Sequence, residues 1–278
     1  MNIRSIVTTL GLASFLALNA HAAEPQLKLG IEAAYPPFAS KTADNKIVGF
    51  DYDIGQALCA EMKVQCVWKE NEFDGLIPAL KVKKVDAIIS SMSITPERMK
   101  SVDFTDRYYR IPARLVVRKD SGISEIPGQL KGLRIGVQRA TNFERYVTDK
   151  FVPAGATIVS YGSQNEVFLD LLGGRIDATM ASSVAIDEGL LKKPEGKDYQ
   201  FVGPAFTEEQ YFGTGIGVAV RKGDPLQARF NQALATIRAN GTYDKIEKKY
   251  FDFDIMGNRF AAQPQNFETV DRKEAIAK

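Results

Sequence analysis

The chain has 278 residues, which is enough for one large domain or two modest ones. Its 36 lysine and arginine residues are nearly balanced by 34 aspartate and glutamate residues, so the net charge at pH 7 is only +2. This balance argues against a nucleic-acid-binding protein, and the sequence contains no Walker loop, dinucleotide fingerprint or metal-spaced cluster.

The first 22 residues have the composition of a secretory signal peptide. Arg4 gives a positively charged start, residues 5–18 are mostly apolar, and Ala20-His21-Ala22 has the small–x–small form of a signal-peptidase site. No later run approaches the ~20 apolar residues that spanning a bilayer requires. We expect cleavage near Ala22 and export of the rest of the chain, with an uncleaved N-terminal anchor as the alternative.

Export limits the chemistry of the mature chain. The only histidine, His21, lies in the predicted signal peptide, so the mature chain would contain none. Histidine is the commonest general base and metal ligand in proteins. Cys59 and Cys66 are the only cysteines, and an oxidising compartment favours a disulfide over two free buried thiols. Sites that depend on histidine or a thiolate are therefore disfavoured, whereas a carboxylate or lysine enzyme remains open. No cofactor or metal is expected.

Short apolar runs alternate with amphipathic stretches, as in proteins with parallel α/β sheets. The first predicted elements are a strand at Leu27–Ile31, a helix at Asp53–Met62, a strand at Cys66–Glu70, a helix at Phe73–Lys81 and a strand at Ala87–Ser90. The pattern restarts after Tyr109 with strands at Ala113–Val117 and Leu133–Val137, a helix at Phe143–Lys150, a strand at Thr157–Tyr161, a helix at Glu166–Leu172, a strand at Ala178–Met180 and a helix at Val184–Leu191. The last elements are a strand at Gly217–Val220 and helices at Pro225–Ala239 and Tyr243–Tyr250.

Residues 90–98, Ser-Ser-Met-Ser-Ile-Thr-Pro-Glu-Arg, follow a predicted buried strand and begin a helix. Thr95 suits the N-cap and Pro96 the first helical position. Serine hydroxyls, free backbone N–H groups and the guanidinium of Arg98 are all groups that bind a carboxylate. Because capping alone explains Thr95 and Pro96, the residues themselves leave two interpretations open, an ordinary strand–loop–helix and a carboxylate-binding site.

Two segments, Leu80–Ala87 and Leu171–Ala178, have nearly the same pattern. Each combines the end of a helix, a break or basic turn and the start of a strand. The parallel predicts two lobes of similar construction rather than one continuous sheet.

Seven phrases of the chain occur in the order in which one known family carries them. They are Gly30–Phe38, Gly49–Gly55, Phe73–Leu80, Asp86–Thr95, Val102–Asp106, Gly174–Ala178 and Lys249–Asp254. Over roughly residues 27–257, the chain thus resembles the family 3 periplasmic solute-binding proteins, which deliver polar amino acids to ABC importers. It is most similar to the branch that binds lysine, arginine, ornithine and histidine.

The resemblance implies an α/β, two-lobe periplasmic binding protein-like (type II) fold with two crossover strands, closing on one ligand. The crossovers are expected near Tyr109–Arg114 and Gln210–Gly215, and Cys59 and Cys66 fall where this branch carries a disulfide. The implied organisation is a signal peptide at 1–22, lobe 1 at 23–111 and 213–258, lobe 2 at 112–212 and a C-terminal tail at 259–278.

The family's carboxylate contacts fall on residues of suitable chemistry. Arg98 matches the arginine that binds the ligand's α-carboxylate, and Ser91 and Ser93, beside Ser90 in the same serine cluster, match serines that line the carboxylate and amine. Thr141 and Asn142 match a turn of lobe 2 whose backbone N–H reaches the same carboxylate, although Ala140 departs from the family's usual glycine.

The family's side-chain contacts also have counterparts. Tyr35 and Phe73 match aromatic residues that sandwich a long flat side chain, which suits a cation. Glu32 matches an acidic position facing the ligand's distal charge, and such a cation would pair with a buried carboxylate. Without the resemblance, Tyr35 and Phe73 would be core aromatics, and Glu32 a surface residue at a strand end.

One position does not match. Ser182 stands where amino-acid-binding members usually place an aspartate against the α-ammonium group, and a lost charge-assisted hydrogen bond is worth about 1.5–3 kcal/mol. This is similar to relatives that bind opines, whose α-nitrogen is a substituted amine. The alternatives are a weakened amino-acid site or help from Glu166 or Asp187.

The resemblance therefore implies an exported, periplasmic, monomeric protein that binds a cationic amino acid and docks on an ABC permease. An opine-type ligand is the alternative within the family. The same fold resembles periplasmic dehydratases acting on prephenate or arogenate, for which Glu32 or Asn142 would have to supply a general acid. The sensor domain of a receptor is a third possibility, disfavoured because no transmembrane segment is predicted.

Overall fold

Two five-stranded sheets organise residues 25–256, the part of the chain that the structure, a computed structural model, describes. The strands are β1 Gln26–Ile31, β2 Ala34–Tyr35, β3 Ala39–Lys41, β4 Ile47–Val48, β5 Gln65–Glu70, β6 Ala87–Ile88, β7 Val102–Phe104, β8 Ala113–Arg118, β9 Arg134–Gln138, β10 Thr157–Tyr161, β11 Ala178–Ser182, β12 Tyr199–Phe206 and β13 Ala219–Arg221. The helices are α1 Phe50–Glu61, α2 Phe73–Lys81, α3 Pro96–Met99, α4 Asn142–Tyr146, α5 Gln164–Leu172, α6 Ser183–Ile186, α7 Glu209–Phe212, α8 Leu226–Ala239 and α9 Thr242–Tyr250.

The two sheets have the same topology, and each forms the centre of one lobe. The sheet of lobe 1 has the order β5-β1-β6-β13-β7, and that of lobe 2 the order β10-β9-β11-β8-β12. In lobe 1, β1 is parallel to β5 and β6, whereas β13 is antiparallel to β6 and β7. In lobe 2, β9 is likewise parallel to β10 and β11, and β8 is antiparallel to β11 and β12. The predicted two-lobe α/β fold is confirmed.

An aspartate at the start of the third strand anchors each sheet in the same way. Asp86 accepts a hydrogen bond from the backbone N–H of Lys28 at 3.0 Å and donates its own N–H to the Lys28 carbonyl at 2.7 Å. Asp177 makes the same pair of bonds with Arg134, both at 2.8 Å. These aspartates belong to the two segments of similar sequence, so that similarity reflects an equivalent turn in each lobe.

The core of lobe 1 forms between its sheet and α1, α8 and α9. Phe50, Ile54 and Leu58 lie on one face of α1 and are fully buried there. On the same helix, a Cβ at Gly55 would lie 2.4 Å from the Trp68 ring, so only glycine allows this approach to β5. The predicted disulfide between Cys59 and Cys66 is present and joins α1 to β5.

Two predicted helices change their geometry before they end. The segment predicted as a helix at Phe143–Lys150 is α4 followed by a π-helical turn at Val147–Phe151. The segment predicted at Val184–Leu191 is α6 followed by a second π-helical turn at Asp187–Leu191. A 3₁₀ turn at Pro194–Asp198 then leads into β12. Hydrophobic periodicity identifies such helical segments without distinguishing their hydrogen-bonding pattern.

Several strands were not predicted. β2, β3 and β4 form a separate three-stranded sheet, and with two or three residues each they are too short to show alternation. β7 was missed for the same reason, because it has only three residues. β12 contains Gly203 and Pro204, which argue against a strand in a sequence, but it lies at the edge of its sheet, where proline is tolerated.

Two connections join the lobes, at residues 105–112 and 207–218. They contact each other through an isolated antiparallel bridge between Tyr109 and Ile216. The crossover expected near Gln210–Gly215 falls within the second connection, where Glu209–Phe212 form α7. The chain leaves α7 through Gly213 at a φ of 70°, and a Cβ there would lie 2.0 Å from the Ile94 carbonyl oxygen.

The predicted signal peptide, its cleavage site and the tail at 259–278 lie outside the described residues. Within residues 25–256, no helix has both the length and the apolar character needed to cross a bilayer.

Candidate ligand-binding site

A cavity lies between the lobes, where the carboxyl ends of parallel strands from both sheets face each other. Glu32 follows β1, Ser90 follows β6, and Gln138 and Ser182 end β9 and β11. Such strand ends are the usual position of ligands in open α/β sheets. The cavity encloses about 740 Å³ of space, part of it open to solvent.

Nine of the ten predicted site residues line this cavity. They are Glu32, Tyr35, Phe73, Ser90, Ser91, Ser93, Thr141, Asn142 and Ser182. Arg98, the tenth, lies beside the cavity and is not among its lining residues. The fold therefore brings together positions up to 150 residues apart in the chain, from both lobes.

Glu32 is a buried carboxylate with a single hydrogen bond to its side chain. Only 5% of the residue is exposed, and its Oε1 accepts a hydrogen bond from Gln138 Nε2 of the opposite lobe at 2.6 Å. Burial raises the pKa of Glu32 to about 7, the Gln138 bond opposes that rise, and the charges of Asp74 and Glu72 add to it. Ser90 fixes the backbone here, because its hydroxyl accepts the Glu32 N–H at 3.0 Å.

Ser91 is held in place by a buried network that sequence reasoning missed. Asp51 accepts hydrogen bonds from the Ser91 N–H at 2.6 Å, the Ser91 hydroxyl at 2.9 Å and the Tyr108 hydroxyl at 2.8 Å. The Tyr109 hydroxyl donates to Ser91 Oγ at 2.7 Å. These bonds hold Ser91 at a φ of 49°, a conformation uncommon outside glycine. The available signal was an acidic residue inside the phrase Gly49–Gly55.

Asp51 itself carries a large desolvation cost. It is fully buried, and burial raises its pKa to about 6 although the three hydrogen bonds lower it. Tyr108, which bonds Asp51, and Tyr109, which bonds Ser91, both lie in the first connection between the lobes. A wall of the cavity and the connection between the lobes therefore share one polar network.

Arg98 is positioned by the capped helix that the sequence predicted. Thr95 Oγ accepts the Arg98 N–H at 3.3 Å, and Pro96 occupies the first turn of α3. The guanidinium lies over the Phe73 ring at 5.3 Å and donates to the Ser93 carbonyl at 3.1 Å. It also donates across the cleft to the Ala140 carbonyl at 3.2 Å. Burial lowers its pKa to about 10, so Arg98 is still charged at neutral pH.

Tyr35 and Ser182 face each other from the two lobes. The Tyr35 ring stacks on Phe38 with 5.9 Å between the ring centroids, and burial raises the pKa of its hydroxyl while Ser182 lowers it. Ser182 Oγ is buried without a well-formed hydrogen bond. Glu166, considered as a substitute for the missing aspartate, caps α5 through Ser163 instead, and neither it nor Asp187 lines the cavity.

Three consecutive residues of lobe 2 reach across the cleft. Gln138 donates to Glu32, Ala140 accepts from Arg98, and Arg139 forms an ion pair with Asp74 at 2.9 Å. Ala140 adopts a φ of 59°, which directs the chain from β9 into α4. Thr141 caps that helix and donates its hydroxyl to the Gln138 carbonyl at 2.6 Å, so the donors that remain at this turn are backbone N–H groups.

The remaining lining residues come mostly from the two connections between the lobes. They are Phe38, Tyr109, Arg110, Ile111, Pro112, Gln138, Phe143, Phe206, Thr207, Phe212, Gly213, Gly215 and Ile216. Most of them are apolar residues or glycines, which gave no functional signal in the sequence, and Arg110, Gln138 and Thr207 are the polar exceptions. In the described part of the chain, no group of three or more histidine, cysteine, aspartate or glutamate side chains is arranged to hold a metal ion.

Comparison with known sequences identifies related proteins. The family model described as bacterial extracellular solute-binding proteins, family 3, matches residues 27–253. An L-arginine-binding protein of Pseudomonas aeruginosa is 53% identical over 246 residues, which cover 88% of this chain and 95% of the relative. A histidine-binding periplasmic protein of Salmonella typhimurium is 47% identical over 251 residues, which cover 90% of this chain and 96% of the relative.

Comparison with solved structures identifies the same group. A Salmonella typhimurium periplasmic binding protein described for its high arginine specificity has a TM-score of 0.75 at 37% identity, covering 82% of this chain and 99% of that chain. An ancestral amino acid-binding protein, described as a precursor of cyclohexadienyl dehydratase, has a TM-score of 0.72 at 33% identity, covering 81% of this chain and 95% of that chain.

Proposed function

Because the chain belongs to family 3 of the bacterial extracellular solute-binding proteins, we propose that it is the periplasmic substrate-binding component of an ABC importer. Its proposed ligand is a cationic amino acid, with arginine, ornithine and lysine ahead of histidine. The arginine-binding and histidine-binding relatives support this class of ligand.

The observation that carries the proposal is a pair of oppositely charged groups at the cavity, the carboxylate of Glu32 and the guanidinium of Arg98. The buried carboxylate of Glu32 lines the cavity, and a cation paired with it would offset the cost of its burial. Tyr35 and Phe73 supply aromatic faces to the cavity. Arg98 lies beside the cavity and donates to the Ser93 carbonyl, and we assign its guanidinium to the ligand's α-carboxylate.

Ligand binding would proceed by closure of the lobes around the connections that join them. The Arg98 guanidinium donates to the Ala140 carbonyl of the opposite lobe. A ligand carboxylate would take over this donor, because a carboxylate is a stronger acceptor than a neutral carbonyl. The closed complex, a monomer exported after cleavage near Ala22, would then dock on its membrane permease.

A thermal-shift screen tests the proposal directly. Purified protein is mixed with arginine, ornithine, lysine, histidine, octopine and nopaline, with glutamate as a matched anionic control. A ligand at 100 times its Kd stabilises the folded protein by about 2.7 kcal/mol, so a cationic ligand should raise the Tm by several degrees. Stabilisation by glutamate alone would contradict the proposal.

Ser182 favours a second candidate within the family, an opine-type or other N-substituted amino acid. A buried serine offers no charge to a primary α-ammonium group, but it leaves room for a substituent on that nitrogen. Replacing Ser182 by aspartate should strengthen arginine binding about tenfold and weaken octopine binding, since a charge-assisted hydrogen bond is worth about 1.5–3 kcal/mol. The opposite ranking would exclude the amino-acid assignment.

An enzyme of the same fold is the candidate from another class. The ancestral protein that resembles this chain is itself described as amino acid-binding, although it precedes a dehydratase. Glu32 would repel dianionic prephenate inside a buried cavity. Incubation with prephenate should therefore yield no phenylpyruvate above the uncatalysed rate, and faster formation would require an enzyme assignment.

A further inference from the structure

Gln138 stands out because it bridges the lobes at the one acidic group of the cavity. It is only 2% exposed, and its Nε2 lies 2.6 Å from Glu32 Oε1 and 3.0 Å from the Gly162 carbonyl oxygen. Both neighbours are hydrogen-bond acceptors, so the amide nitrogen must face them and the orientation of the amide is determined. One side chain thus connects the backbone of lobe 2 with a carboxylate of lobe 1.

The hydrogen bond exists only when the lobes meet. Gln138 ends β9 in lobe 2, whereas Glu32 follows β1 in lobe 1. Closure therefore has two opposite effects on the ionised form of Glu32. It removes water, which disfavours that form, and it supplies an amide donor, which favours it. A donor to the charged form favours that form, and without it a carboxylate enclosed by protein takes up a proton.

Resting on the proposed function, we propose that Gln138 is a positioning residue that keeps Glu32 ionised in the closed cavity and thereby determines specificity for ligands with a cationic side chain. A protonated Glu32 has no charge to pair with a guanidinium. A neutral ligand of the same shape gains little from an ionised carboxylate, so loss of the Gln138 donor penalises the cation selectively.

The other ionisable groups near Glu32 do not keep its carboxylate ionised. Asp74 and Glu72, at the start of α2, are negative and oppose ionisation of Glu32. Tyr35 is a neutral hydroxyl on β2. Arg139 pairs with Asp74 and Glu72 at 2.9 and 3.7 Å, and its side chain is 47% exposed. Gln138 is the residue that donates a hydrogen bond to the Glu32 carboxylate within the described chain.

The test compares wild type with Gln138→Met, which keeps the length of the side chain and removes the donor. Calorimetry measures the affinity for arginine and for citrulline, its neutral isostere, between pH 6 and pH 9. For Gln138→Met we expect arginine binding to weaken about tenfold at pH 7 and less than threefold at pH 9, where Glu32 is ionised without help. Citrulline binding should change less than threefold at both pH values.

Arg139→Gln is the matched control, because it removes a contact across the cleft from the adjacent residue. At pH 9, where Glu32 is ionised in every variant, it should weaken arginine and citrulline equally. Gln138→Leu provides a second apolar variant, and circular dichroism verifies that each variant is folded. Both Gln138 variants should show the same dependence on pH.

The outcomes separate the two levels of the hypothesis. If wild type binds arginine but Gln138→Met loses the same factor at pH 7 and pH 9, or loses citrulline equally, Gln138 contributes only packing or closure. If wild type binds no cationic amino acid, the proposed function fails, and with it the role assigned to Gln138.

Discussion

The two lobes share one sheet topology but hold their cavity residues in different ways. In lobe 1, Ser91 is fixed by Asp51 and Tyr109, which belong to its own lobe or to the adjoining connection. In lobe 2, Gln138 and Ala140 direct polar atoms across the cleft to the other lobe. The difference indicates that lobe 1 presents a preorganised surface, whereas lobe 2 completes the site on closure.

Helical geometry shows the same contrast. α1 of lobe 1 has 12 residues and is joined to β5 by a disulfide. α4 and α6, which follow the cavity residues of lobe 2, have five and four residues and pass directly into π-helical turns. Such turns often occur near functional sites. Both π-helical turns of the described chain thus lie in lobe 2.

The largest expected effect comes from the carboxylate end of the site. Arg98→Ala removes its cation and should weaken every carboxylate ligand at least 100-fold, because breaking a buried charge pair costs about 3–5 kcal/mol. Calorimetry measures the loss. Arg98→Lys, the matched control, keeps the charge but not the planar guanidinium. Its affinity for the ligand should lie between those of wild type and Arg98→Ala. Unchanged affinity in Arg98→Ala would show that lobe 1 does not bind the carboxylate.

The next effect tests preorganisation of lobe 1. Asp51→Ala leaves three donors of Ser91 and Tyr108 without an acceptor and should lower the free energy of unfolding by about 3 kcal/mol. Hydrogen exchange should accelerate in lobe 1 while lobe 2 stays protected. Asp120→Ala, the control in lobe 2, removes an exposed ion pair with Arg118 and should cost less than about 1 kcal/mol. Equal losses of stability in the two variants would contradict the contrast between the lobes.

The smallest expected effect depends on pH. Acidification should stabilise the ligand-free protein but weaken arginine binding. Burial raises the pKa of Glu32 to about 7 and that of Asp51 to about 6, above the ordinary values of 4.5 and 3.8. The folded state therefore binds more protons, so the ligand-free protein gains stability as the pH falls from 8 to 5. Arginine affinity should instead fall about tenfold per pH unit below 7, since the cation requires ionised Glu32.

Denaturant titrations and calorimetry across the same pH range test both halves of this prediction. Glu32→Gln is the control for binding, and its arginine affinity should be low and nearly independent of pH. If acidification destabilised the ligand-free protein between pH 8 and pH 5, burial of these two carboxylates would not govern its stability.

Much of the fold was predictable because its main elements follow simple periodicity. The helix at Phe73–Lys81 and the strand at Thr157–Tyr161 were predicted with their observed bounds. The capped start of α3 was predictable from Thr95 and Pro96 alone. Strands of two or three residues and the proline-containing edge strand were not, since their pairing is decided by neighbours distant in the chain.

The site was predictable where a residue type carries its own chemistry. Arg98 is such a residue and contacts the opposite lobe at the cleft, whereas Glu32, which lines the cavity, was identified only through the family resemblance. Asp51 was missed because nothing local shows that an acidic residue in a helix is buried against Ser91. Gln138 was missed because its importance comes from the closure of one lobe on the other, and a linear pattern contains no information about that contact.

The order of strands in lobe 1 has a consequence for the synthesis of the chain. β13 lies between β6 and β7, although it follows them by more than 100 residues. The sheet of lobe 1 therefore remains incomplete until residue 221 is available, whereas all strands of lobe 2 lie between residues 113 and 206. As a chain emerges from its N-terminus, the middle lobe can fold first. The lobe that contains Glu32, Ser91 and Arg98 is then the last to form.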